Sequence, residues 1–183
     1  MAVKDILLWP DPLLKQVSKP VTDFGADLQN LIQDLSDSMA IEPMAGLSAP
    51  QIGVSKRVFI IDINPEHNDG NGTQGKEVFV NPEIIARDGK FSWEEGCMSI
   101  PGYRGKVTRH DRVTVRYQNE KGEYLEREAF YYLSGCFQHE IDHLDGILWV
   151  DYQSSLKRNF IKKKMLRIKD LAPEDRPRWR DEA

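Results

Sequence analysis

The segment Gln138-His139-Glu140-Ile141-Asp142-His143 holds two imidazoles four residues apart, with a carboxylate between them. Helical side chains at i and i+4 share one face, so both rings can reach a single metal ion. Glu140 would lie about 100° round from His139, close enough to that face to touch a water at the ion. Two ligands and a carboxylate base on one rigid element are the parts of metal-assisted hydrolysis.

Catalytic metal sites usually take three protein ligands and keep one position open. Three residues compete for the third place. His110 sits among charged neighbours and reads as an exposed residue. Cys136 precedes His139 by three positions and shares nearly its helix face. Three ligands along one straight helix strain to converge, because each turn climbs about 5.4 Å. Cys136 therefore reads as a small apolar residue packed near the site. Cys97 comes from a separate, loop-like stretch, Glu95-Gly96-Cys97, that ends at Pro101. A thiolate from another segment can complete a tetrahedron and leave the fourth corner free, so Cys97 is the preferred third ligand.

The elements that must position these groups show in the hydrophobic pattern. Leu28, Leu31, Ile32, Leu35 and Met39 recur at helical spacing, predicting an amphipathic helix over 26–42 stopped by Pro43. Residues 46–53, Gly-Leu-Ser-Ala-Pro-Gln-Ile-Gly, read as a loop, and the β-branched stretch 57–63 as a buried strand. The polar, glycine-rich 64–76 reads as a surface loop, with His67 solvated. Two strand segments, 77–80 and 83–87, are separated by Asn81-Pro82, and Arg112–Gln118 with 123–130 forms a hairpin pattern about Asn119-Glu120-Lys121-Gly122. Residues 131–145 then form the helix carrying the histidines, with Gly146 just past its end. Ser154 or Ser155 caps a last helix, with Leu156, Phe160, Ile161 and Ile168 as its apolar stripe. Strands and a hairpin framed by helices predict an α+β fold of antiparallel sheets around the central helix. Residues 1–171 read as one catalytic domain, 154–170 as its basic helix, and 172–183 as a flexible charged tail.

Composition removes several function classes. The apolar runs, such as Val58-Phe59-Ile60-Ile61, are far too short to cross a bilayer. Met1-Ala2-Val3-Lys4-Asp5 lacks the pattern of a secretory signal, and two cysteines make no disulfide framework, so a cytoplasmic setting is expected. Residues 156–183 carry ten basic and five acidic side chains, leaving −9 on the body within a net charge of −4. An acidic body argues against coating DNA, whereas the basic end suits an anionic partner or a solvated helix face.

Taken together, Gln138–His143, Glu95-Gly96-Cys97 and Gly46-Leu47-Ser48-Ala49-Pro50-Gln51 resemble the motifs of the peptide deformylases, in the family's order and spacing. Those enzymes remove the formyl group from the initiator methionine of new bacterial-type polypeptides. The resemblance runs over essentially the whole domain, to about residue 168. It implies His139, His143 and Cys97 as metal ligands and Glu140 as the catalytic carboxylate. It also implies the Gln51 side chain and the Met98 backbone N–H as donors to the carbonyl oxygen. Fe²⁺ is the implied ion, with Zn²⁺, Ni²⁺ or Co²⁺ able to take its place. The implied partners are N-formylated nascent peptides and, through the C-terminal helix, the ribosome. Glu95 paired with Arg109 would brace the Cys97 loop, and Asp142, turned from the metal face, would be a structural anchor.

The chain departs from the family pattern at identifiable places. Met44 stands two residues before Gly46, where the family usually has a glycine beside the substrate backbone, and Ser48 replaces an alanine. Trp93 and Tyr132 occupy positions where the family often lines its methionine pocket with aliphatic side chains. These aromatics would narrow or reshape the pocket for a different first residue, unless they pack into the core and leave it alone. A zinc endopeptidase shares His-Glu-x-x-His but takes a later Glu or His ligand, and no histidine follows His143. A non-catalytic metal-binding or ribosome-docking protein would need neither Glu140 nor Gln51.

Overall fold

The four apolar residues Val58-Phe59-Ile60-Ile61 organise the molecule, because all are fully buried. They form strand β2 (Val58–Ile61), and strand side chains alternate in direction. Val58 and Ile60 enter a core shared with Leu28, Leu31, Leu35 and Met39 of helix α1 (Ala26–Met39). Phe59 and Ile61 enter a second core with Leu133, Phe137, Ile141 and Leu144 of helix α2 (Tyr131–Leu144). The strand is apolar throughout because a helix covers each face. This computed structural model describes residues 3–41, 44–67 and 71–177.

β2 belongs to a five-stranded antiparallel sheet with β1 (Gly46–Ser48), β3 (Glu77–Asp88), β6 (Arg112–Gln118) and β7 (Tyr124–Phe130), in the order β1-β2-β3-β6-β7. A separate two-stranded sheet pairs β4 (Phe91–Gly96) with β5 (Arg104–Arg109). Helix α3 (Ser155–Lys169) follows, its Ser154 cap accepting from the Lys157 N–H at 3.3 Å. Mixed helices and antiparallel sheets make an α+β fold, as the pattern predicts. Among the described residues no helix is long and apolar enough to cross a membrane.

Several boundaries differ from expectation for physical reasons. The expected loop over 46–53 starts as a strand, because Gly46–Ser48 pairs with β2 and buries Leu47; a 3₁₀ turn, Ala49–Ile52, follows. Asn81-Pro82 does not divide two strands. It forms a bulge within β3, with Asn81 at φ 49° and its side chain bonded at 2.8 Å to Val21 N–H, Val21 C=O and Gln118. α1 ends at Met39, and the expected stop at Pro43 lies outside the described residues. β4 and β5 carry no clear apolar alternation, so the sequence reading contains neither.

The expected stripe on α3 also needs correction. Ile161, Met165 and Ile168 are buried with Trp149, whereas Leu156 is 81% and Phe160 55% exposed. Helical geometry cannot turn Leu156 and Phe160 inward once Ile161, Met165 and Ile168 face the core. The first part of the expected tail holds a 3₁₀ turn, Pro173–Asp175, and Arg176 donates to the Leu171 carbonyl at 3.2 Å; residues 178–183 lie outside the described set.

Phe79 stacks on Phe59 at 4.8 Å and meets Phe137 edge-on at 4.8 Å, at the centre of the α2-side core. Phe79→Ala is expected to cost about 3–5 kcal/mol in unfolding free energy, measured by urea denaturation.

Candidate active site

α2 presents His139 and His143 on one face, and the turn after β4 brings Cys97 against them. Cys97 Sγ lies 3.3 Å from His143 Nε2, which lies 3.2 Å from His139 Nε2. The three ligand atoms all fall within 4.8 Å of one another. A thiolate and two imidazole nitrogens aimed at one point suit a divalent metal ion. Burial and the neighbouring His139 push the His143 ring toward its neutral, ligating form. Burial opposes a charge on His139 too, but Cys97 and Glu95 outweigh it and raise its pKa.

His139 is oriented by its other nitrogen. Nδ1 lies 2.9 Å from Glu95 Oε2, leaving Nε2 for the cluster. Burial alone would raise the Glu95 pKa, yet hydrogen bonds and charge from His139 and Arg109 hold it at about 2. Arg109 donates to both Glu95 oxygens, Nε at 2.7 Å and Nη2 at 3.0 Å. Its Nη1 reaches Asp142 Oδ2 at 2.5 Å and Tyr152 Oη at 3.3 Å, and the Tyr152 hydroxyl donates to Asp142 at 2.9 Å. Glu95 and Arg109 thus pair as the sequence suggested, and Asp142 faces Arg109. Tyr152 was not anticipated, because it stands 43 residues from Arg109 with no local signal.

Glu140 is 4% exposed, and its Oε2 is buried without a hydrogen-bond partner among the described residues. Burial pushes its carboxyl up to about 7, against smaller opposing effects of His139 and of a hydrogen bond with the Ser48 side chain. Such a group is poised to exchange a proton near neutral pH. Gly46 explains how the carboxyl fits. A Cβ at Gly46 would lie 2.8 Å from Glu140 Oε1, so β1 can pass this close only without a side chain.

These groups open onto a cavity of about 250 Å³. Met44, Gly46, Gln51, Trp93, Met98 and Tyr132 all line it, together with Cys97, His139 and Glu140. Cys136 lines it too, outside the metal-competent group; burial pushes its thiol well up, so it stays neutral. His110 is half-buried, its Nδ1 3.1 Å from the Gly89 carbonyl oxygen, whereas the His67 side chain lies outside the described set. Trp93 lies against the α2 backbone: a Cβ on Gly135 would fall 2.6 Å from its ring. Its indole N–H donates to Glu95 Oε1 at 2.9 Å, and Tyr132 meets it edge-on at 5.1 Å.

An α+β chain with a metal-competent cluster and a buried carboxyl on one cavity defines the class of metal-dependent hydrolases. A model of the polypeptide deformylase family matches residues 3–159. A peptide deformylase from Acidobacterium capsulatum is 44% identical over 168 residues, covering 92% of this chain and 96% of its relative. A crystal structure of a peptide deformylase from Legionella pneumophila is 42% identical with a TM-score of 0.83, covering 92% of this chain and 96% of that one. The Ehrlichia chaffeensis enzyme in complex with actinonin is 32% identical with a TM-score of 0.87, covering 93% of this chain and 100% of that one. The chain belongs to the polypeptide deformylase family, metal-dependent hydrolases of N-formyl peptides.

Gly46→Ala is expected to displace the Glu140 carboxyl and lower kcat about 10²-fold, the scale of a misplacement near 1 Å. Steady-state formate release, with a thermal unfolding scan to show the fold intact, checks this.

Proposed function

We propose that Cys97 Sγ, His139 Nε2 and His143 Nε2 hold one divalent cation and that Glu140 carries the proton in hydrolysis of the N-formyl group. The observation carrying this reading is the convergence of three ligand atoms within 4.8 Å beside a buried carboxyl on the same cavity. When bound, the cation supplies Lewis acidity, for the attacking water and for the formyl carbonyl alike.

The chain's own groups do the rest. Glu140 takes the proton from water as its oxygen attacks the formyl carbon. Negative charge then builds on the carbonyl oxygen, where the Gln51 side-chain amide and the Met98 N–H donate; one such donor is typically worth about 3–4 kcal/mol. Glu140 returns its proton to the leaving nitrogen as the C–N bond breaks, giving formate and a free α-amino group. Trp93, Tyr132, Met44 and Gly46 shape the wall that receives the first side chain. Trp93 occupies the space that Gly135 leaves, and the cavity keeps about 250 Å³, so methionine remains the first residue we assign. The complex of the Ehrlichia relative with actinonin supports a ligand-binding role for this chain as well.

Fe²⁺ is the ion we assign, with Zn²⁺, Ni²⁺ and Co²⁺ as substitutes, because a thiolate with two imidazoles accepts each of them. We place the enzyme in the cytoplasm, acting on nascent chains. Lys157, Lys162, Lys163 and Lys164 lie exposed on α3, which supports docking on ribosomal phosphates.

Glu140→Ala should lower formate release from formyl-Met peptides by about 10²–10⁴-fold while the purified protein keeps the parent's metal content. Chelation should abolish turnover of the parent, and added Fe²⁺ under anaerobic conditions should restore it; cleavage of internal peptide bonds would instead favour an endopeptidase. For ribosome docking, deleting α3 would remove Ile161, Met165 and Ile168 from the core. Charge reversal of Lys157, Lys162 and Lys163 is the cleaner variant, expected to abolish salt-sensitive co-sedimentation with ribosomes while peptide turnover stays unchanged.

A further inference from the structure

The Gln51 side-chain amide can perform its part only in one of two nearly isosteric orientations, since a half-turn exchanges its oxygen and nitrogen. Two donors from one residue select the orientation. The Ser48 backbone N–H reaches Gln51 Oε1 at 3.0 Å, and the Ser48 hydroxyl reaches the same oxygen at 2.8 Å. Ser48 is fully buried and Gln51 is 2% exposed, so water does not substitute for either bond. With Oε1 held, Nε2 points to Cys97 Sγ and Ser99 Oγ, each at 3.4 Å. The contact to sulfur is of ordinary length, but the Ser99 contact lies beyond the usual N–H···O range. One amide hydrogen is therefore loosely held and available to a carbonyl oxygen arriving in the cavity.

We infer that Ser48 is a positioning residue: its hydroxyl locks the Gln51 amide so that Nε2 faces the reacting carbonyl. This inference rests on the assignment of Gln51 as a carbonyl donor. A hydrogen bond donated to Oε1 also polarises the amide and strengthens its N–H as a donor, which reinforces the lock in a dry site. Ser48 sits where β1 gives way to the 3₁₀ turn, so the residue that shapes the backbone turn also orients the side chain three positions on.

The test is a double-mutant cycle on the full, metal-loaded chain, with Ser48→Ala, Gln51→Ala and the double variant. Ser48→Ala should lower kcat about fivefold, the scale of one hydrogen bond, with KM within about twofold and the unfolding temperature preserved. In the Gln51→Ala background the same change should have no further effect. The Gln51 side-chain amide resonances of the zinc-loaded protein, assigned by their loss in Gln51→Ala, should shift in Ser48→Ala. Unchanged kcat and resonances in Ser48→Ala would overturn the inference while leaving the Gln51 assignment intact. An equal loss in both backgrounds would overturn it too, locating the effect of Ser48 on Glu140 or the fold. Parent-like kcat in Gln51→Ala would remove the underlying assignment itself.

Discussion

One buried carboxylate holds the site together. Glu95 is 2% exposed, and its two oxygens are shared among the Arg109 guanidinium, the His139 ring and the Trp93 indole. A charge so placed is tolerable only when paired and fully hydrogen-bonded, since an orphaned buried ion costs several kcal/mol. The pairing therefore fixes where β4, β5 and α2 lie relative to one another. Arg109 is at the end of β5, Glu95 near the end of β4, and His139 and Asp142 on α2. Cys97 follows Glu95 by two residues, so the bond that orients an imidazole also delivers the thiol beside it.

The cavity depends on a second constraint, the exchange of volume between facing positions. Trp93 is a bulky side chain, and Gly135 on α2 has no side chain where the indole packs. At Gly46 the same logic operates on the other wall, where the missing Cβ gives the Glu140 carboxyl its place. Close packing leaves no slack for either glycine to become larger without moving a functional group.

Helix α3 does two things on opposite faces. Ile161, Met165 and Ile168 join Cys97 and Trp149 in one core, tying the last helix to the packing behind the thiol. Its other face carries lysines with the exposed Leu156 and Phe160, a combination of positive charge and apolar surface on an otherwise acidic chain. A helix that is both core and basic surface cannot be removed without disturbing the site.

What the sequence determined by itself was the local chemistry: two imidazoles one helical turn apart with a carboxylate between them, the separate Cys97 segment, and the amphipathic period of α1. The imidazole pair and the α1 period repeat within a few residues and follow from helix geometry alone. The buried β2 strand was legible for a similar reason, being a continuous β-branched and aromatic run. The β4–β5 sheet was not legible, because charged and glycine residues mask its alternation and the strands exist through their pairing with each other. Nor could spacing reveal Tyr152 against Arg109 or the solvent-facing turn of Leu156 and Phe160. Those depend on which surfaces meet after the chain has closed distant segments together. Only the tertiary fold, by burying charges that must then find partners, decided them.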